Sequence, residues 1–128
     1  MKNIFFSWQS DLDSKTHRNF IEKCIKKSLK ALNKVDELHV FLEYDRDTLG
    51  LLGSPDISIS IFEKIDKCAL FIADISNITS TDKRTIPNPN VLIELGYAIN
   101  ILGWDRIICF FDITTGNVEN LPFDIRQK

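Results

Sequence analysis

Hydrophobic and polar positions change period several times along this chain, and each change marks an element. Asn3-Ile4-Phe5-Phe6 is a short apolar run that returns to polar residues at once, which predicts a buried strand. Ser7-Trp8-Gln9-Ser10-Asp11 then reads as a polar loop carrying one aromatic ring. From about Ser14 to Leu32 the period becomes helical. Phe20, Ile21, Cys24, Ile25, Ser28, Ala31, Leu32 and Val35 share one broad face, with Lys23, Lys26, Lys27 and Lys30 on the other. A second strand, His39 to Leu42, opens into Glu43-Tyr44-Asp45-Arg46-Asp47. Gly50 and Gly53 follow, so the stretch from Asp45 to Gly53 is expected to be a mobile or tightly turned loop. Ser54-Pro55 signals a helix start, with Ile57, Ile61, Phe62 and Ile65 on its inner face.

Cys68 to Ala73 is apolar without alternation, the mark of a central strand covered on both faces, and it ends at Asp74. Ser76 to Asn88 is polar, contains Pro87 and predicts an irregular connection. A third helix begins at Asn88 or Pro89 and runs to about Leu102, where Gly103 stops it. Arg106 to Phe111 predicts a fourth strand, and a short extended piece near Phe123-Asp124-Ile125 is the last candidate. Strands alternating with helices predict an α/β domain whose parallel sheet is covered on both faces. The 128 residues fit one domain. Because the last strand lacks a helix to pack on it, the chain is expected to be a fragment of a longer protein.

Composition narrows the classes. Apolar residues make up 44% of the chain, with nine Phe, which excludes a disordered segment. Lys and Arg number 16 against 18 Asp and Glu, so no general nucleic-acid surface is expected. Cys24, Cys68 and Cys109 are far apart, form no metal spacing and read as buried thiols in a reducing compartment. No signal peptide or membrane-length apolar run is visible, so the expected location is the cytoplasm, with no membrane partner.

In parallel sheets, ligands gather beyond the carboxyl ends of the strands. Ser7-Trp8-Gln9, Glu43 to Asp47, Asp74-Ile75-Ser76 and the start of the third helix should meet there. Glu94 is the only charged residue between Asn88 and Gly103. At about 100° per residue it falls at the edge of a stripe centred on Val91, Leu95 and Ala98, with Tyr97 and Ile101 as neighbours. Either it faces a ligand or it is an ordinary boundary residue. As a site residue, it should face a cleft shared with Trp8 or Asp74. Asp74 either binds a ribose hydroxyl or caps a turn. Trp8 either stacks on a ring or covers the core, and Arg46 either meets phosphate or pairs with Asp45 or Asp47. His17, in an exposed first turn, and His39, at a strand start, are read as non-catalytic. There is no GxGxxG, P-loop or HExxH, and no metal is expected.

Five segments together resemble the bacterial Toll/interleukin-1 receptor-like (TIR-like) domains: IFFSWQSD at 4–11, GSPDISISIFEKIDKC at 53–68, FIADIS at 71–76, PNPNVLIELGYA at 87–98 and LGWDRIICFF at 102–111. LPFDIR at 121–126 resembles what such proteins carry before a final helix. The resemblance implies a flavodoxin-like three-layer sandwich with four or five parallel strands in order 2-1-3-4-5. It implies cleavage of NAD, as substrate and not cofactor, at the nicotinamide–ribose bond, with Glu94 at the position of the essential glutamate. Phe6, Ser7 and Trp8 would border the ring or ribose, Asp74 and Asn90 would orient hydroxyls, and Arg46 would meet the pyrophosphate. Self-assembly into a homo-oligomer, a fused sensor and a role in antiviral defence or signalling belong to the same expectation. The PNPNVLIELG stretch is also similar to nucleoside 2-deoxyribosyltransferases, whose corresponding glutamate attacks a sugar carbon. A non-catalytic assembly module is the third alternative. The Asn90-Val91 pair departs from the Trp-Cys of animal TIR domains.

Overall fold

In a computed structural model of the chain, residues 2–31, 38–42, 55–80 and 85–117 are described. The elements are β1 (Lys2–Ser7), α1 (Arg18–Ala31), β2 (Leu38–Leu42), α2 (Pro55–Lys67), β3 (Leu70–Asp74), β4 (Asn77–Ser80), β5 (Thr85–Pro87), α3 (Pro89–Leu102) and β6 (Ile107–Phe110). Single 3₁₀ turns follow α3 at Trp104–Arg106 and β6 at Ile113–Thr115.

Four strands pair in parallel in the order β2-β1-β3-β6. Side chains alternate across a strand, so β1 and β3 feed both faces of the sheet. Phe5, Phe71 and Ala73 point to one face, where Ile61 and Ile65 of α2 and Val91, Leu95 and Ala98 of α3 cover them. The rings of Phe5 and Phe71 stack there with centroids 5.6 Å apart. Ile4, Phe6 and Ile72 point to the other face, under Ile21, Ile25 and Leu29 of α1. Three layers result, and each fully buried large apolar side chain contributes roughly 1.5–3 kcal/mol.

The sheet content departs from a single parallel sheet of order 2-1-3-4-5. Between β3 and α3, where the sequence predicts an irregular connection, β4 and β5 form a separate antiparallel ribbon. Its strands are only four and three residues long, too short to show a period, and Pro87 disguises the second. A fifth parallel strand near Phe123 to Ile125, the loop from Asp45 to Gly53 and the Ser54 cap lie outside the described residues.

The inner stripe of α1 is narrower than the sequence pattern implies. Ile21, Ile25 and Leu29 are buried at i, i+4 and i+8, while Phe20 is 55% exposed and Ser28 and Ala31 face solvent. One helix lying over this face buries a single row, and the remaining apolar positions fall outside it. At α3, Asn88 accepts from the backbone N–H of Asn90 and Val91, Pro89 takes the first turn, and Gly103 closes the helix at φ 80°, a conformation that favours glycine.

Candidate functional site

Strand order reverses between β1 and β3, whose carboxyl ends bring Ser7 beside Ala73. This is the switch point at which open α/β sheets take up ligands. Two polar pairs stand there, one on each face of the sheet.

Ser7 lies two residues beyond Phe5 and therefore points toward α2 and α3. Its hydroxyl donates to Oε1 of Glu94 at 2.8 Å. Glu94 is 3% exposed, buried at the edge of the apolar face made by Val91, Leu95 and Ala98. The Ser7 hydroxyl at the end of β1 covers the carboxylate from the sheet side. Of the neighbours expected from helical spacing, Tyr97 turns to α2, donating to Asp66 at 2.5 Å and stacking on Phe62, and Ile101 is exposed.

Asp74 lies two residues beyond Ile72 and so belongs to the α1 side. It is 1% exposed. Gln9 donates to its Oδ2 at 3.1 Å, and the Ser76 N–H donates to Oδ1 at 3.0 Å. The Gln9 side chain also accepts from the Leu12 N–H, which holds the loop after β1 across the switch point. Trp8 packs in the same α1-side core, with the Arg18 guanidinium 3.7 Å from its ring centroid, and its Nε1 has no hydrogen-bond partner among the described residues. It covers the core, and one ring face is taken. The structure thus groups Trp8 and Asp74 with α1 and places Glu94 with Ser7 across the sheet.

Phe6 is wholly buried in the α1-side core. Asn90 is half-buried in the first turn of α3, its N–H held by the cap. Arg46, Asp45, Asp47, Gly50 and Gly53 lie outside the described residues.

A cavity of about 330 Å³ opens on the α1 side, bordered by His17, Phe20, Asp74, Ser76, Phe110 and Asp112 among others. His17 is a correction to the sequence reading: it is 7% exposed, not a solvent-facing turn residue. Its Nε2 lies 3.0 Å from Asp112 Oδ2, and its Nδ1 faces the Asp13 carbonyl and the Thr16 hydroxyl. Ser76 accepts from the Asp112 N–H at 2.9 Å, tying the end of β3 to the end of β6. Gln9 and Ser76 fall in the polar segments already expected at the strand ends, whereas His17 and Asp112 carry no motif, because their contact joins positions far apart in sequence. The only available signal was their place just past strand ends or before α1.

Cys68 is buried, whereas Cys24 and Cys109 are half-buried, and all three are free thiols. Burial pushes the Cys109 thiol up to about 11. Among the described residues, no group of three or more His, Cys, Asp or Glu side chains is arranged to hold a metal ion. No described helix is long and apolar enough to cross a membrane.

No protein-family model matches the chain, and no curated protein does. Among solved structures, the 2-desoxiribosyltransferase from Leishmania mexicana is similar, with a TM-score of 0.52 and 21% sequence identity. The match covers 87% of this chain and 65% of that one. The chain therefore spans less than two thirds of the transferase, and what the two share is an α/β fold.

Proposed function

We propose that this chain acts on the N-glycosidic bond of a nucleoside or nucleotide, with Glu94 as the carboxylate that meets the sugar. The observation that carries the reading is the buried Glu94, fixed by Ser7 on an otherwise apolar helix face at the sheet's switch point. A buried carboxylate costs free energy unless it is hydrogen-bonded, so its retention there argues for use. The fold shared with a 2-desoxiribosyltransferase favours a nucleoside as substrate over NAD.

In the proposed reaction a Glu94 carboxylate oxygen attacks the anomeric carbon. The bond from that carbon to the base nitrogen breaks, its electron pair stays with the base, and the base takes up a proton from solvent as it leaves. A second base nitrogen then attacks the anomeric carbon of the glycosyl ester, giving transfer, or water does so, giving hydrolysis, and the attacking group releases its proton to solvent. Either route returns Glu94 as a carboxylate. Ser7 holds the attacking group in line.

Cleavage of NAD is the second reading, supported by the resemblance of several segments to TIR-like domains, above all PNPNVLIELGYA. Nicotinamide leaves as a neutral ring, so no proton is required. Activation by self-assembly, Arg46 at the pyrophosphate and Asn90 at a ribose hydroxyl belong to that reading.

The test incubates the full chain with 2′-deoxyinosine plus adenine, and separately with NAD, and follows free base, exchanged nucleoside and nicotinamide. Base exchange supports the first reading, and nicotinamide release alone the second. Glu94→Gln should lower the rate on the order of 10⁴-fold or more, the scale on which removal of a nucleophile acts. Wild-type turnover by that variant rules out the mechanism. No product with any of these substrates from the assembled protein leaves the non-catalytic module.

A further inference from the structure

The α1-side cavity is separate from Glu94, which sits across the sheet, and its chemistry is incomplete in a specific way. Asp74 borders it and is 1% exposed. A carboxylate offers about four lone-pair positions. Asp74 fills two of them, with the Gln9 amide and the Ser76 N–H. Ser76 is equally buried, and its oxygen accepts from the Asp112 N–H. Its own hydroxyl hydrogen has no acceptor among the described residues. A buried acceptor with capacity to spare thus stands two residues from a buried donor with none of its capacity used, and both border the same space.

Charge and shape restrict what fits. Among the described residues no Lys or Arg borders the cavity, whereas two carboxylates do, so a phosphate group is disfavoured. Phe20 and Phe110 supply aromatic walls suited to a flat ring. The volume of about 330 Å³ lies at the small end of ordinary ligand pockets, which run from roughly 300 to 1,000 Å³. A ring bearing an amino group beside a ring nitrogen answers both free capacities. The amine donates to Asp74, and the ring nitrogen accepts from Ser76.

We propose that this cavity is a second ligand site, specific for a phosphate-free nucleobase or nucleoside of the amino type, such as adenine or cytosine. The assignment rests on the cavity alone and does not depend on the reaction at Glu94.

Calorimetry or ligand-observed NMR on the full chain tests it, with adenine and cytosine as probes and hypoxanthine, uracil and adenosine 5′-monophosphate as comparisons. Adenine or cytosine should bind at least tenfold more tightly than the comparison compounds. Glu94→Gln should bind the same probe unchanged. Thr16→Trp, at an exposed position on the cavity border, should weaken it tenfold or more while leaving turnover at Glu94 and the circular dichroism spectrum unaltered. Phe20→Ala, also exposed, gives a second variant in case the tryptophan disturbs the fold. Three results overturn the proposal. One is no binding of either probe at millimolar concentration by folded protein. Another is binding lost in Glu94→Gln but kept in Thr16→Trp. The last is tighter binding of the monophosphate than of the free base.

Discussion

Asp112 draws the turn after β6 onto the loop before α1. The Thr114 N–H and hydroxyl donate to its Oδ1 at 2.9 and 2.6 Å, and His17 Nε2 lies 3.0 Å from its Oδ2. The Thr114 hydrogen bonds, and after them His17, hold the Asp112 carboxyl below its ordinary value of 3.8. A carboxyl lowered in the folded state stabilises the fold above its unfolded pKa, and that stabilisation disappears as pH falls through the lower folded value. Asp112→Asn should therefore melt below wild type by a constant margin from pH 7 to about 5, and the margin should close below about pH 4. Because the side chain is 29% exposed, the margin should stay within about 1 kcal/mol. Thermal melts across that range check it, and a gap that widens in acid contradicts the assignment. The same neighbourhood marks the limit of what the sequence discloses about single residues. Glu94 stood out because no other charge lies between Asn88 and Gly103. His17 did not, because its partner is 95 positions away and no local pattern announces such a pair.

At the scale of elements, α3 was readable from both ends. Its signals are local: a capping Asn, a Pro in the first turn and a terminating Gly. The four parallel strands were equally readable, since continuous apolar runs between helical periods have few other interpretations. The β4–β5 ribbon was not, because short polar strands paired only with each other carry no burial signal. The row of α1 that meets the sheet was also not settled by periodicity: Phe20 and Leu29 are both apolar, and only docking leaves the first exposed and the second buried. The α3 cap is positional as well as stabilising, since the Asn88 amide also donates to Asp11 Oδ2 at 2.6 Å and so ties the helix start to the loop after β1. Asn88→Ala should cost about 1 kcal/mol in chemical denaturation, and Asn88→Ser should recover most of it, because serine also caps. An equal loss in both variants would assign the effect to the Asp11 contact and not to the cap.

For the whole molecule, the arrangement sets stability against use. The α2–α3 face of the sheet is a hydrophobic core in which Phe5, Phe71, Val91 and Leu95 are nearly or fully buried, and Glu94 enters it beside them. Had that position been selected for stability alone, an apolar side chain of similar size would serve better, since a buried polar pair at best balances its own desolvation. The single and double substitutions at Ser7 and Glu94 separate the two pressures. Ser7→Ala removes a donor from a buried carboxylate and should destabilise by about 1–3 kcal/mol. The double variant Ser7→Ala with Glu94→Met removes the buried carboxylate together with its Ser7 donor and should be more stable than Ser7→Ala alone, with a melting point raised by roughly 2–8 °C for each kcal/mol recovered. It should have no turnover. The two changes are then strongly non-additive, as expected for groups in contact, and the molecule shows the trade of stability for activity common at reactive sites. Melting curves of the four proteins decide it: a double variant less stable than Ser7→Ala would make the pair a structural element of the core, and the functional argument from the burial of Glu94 would fail with it.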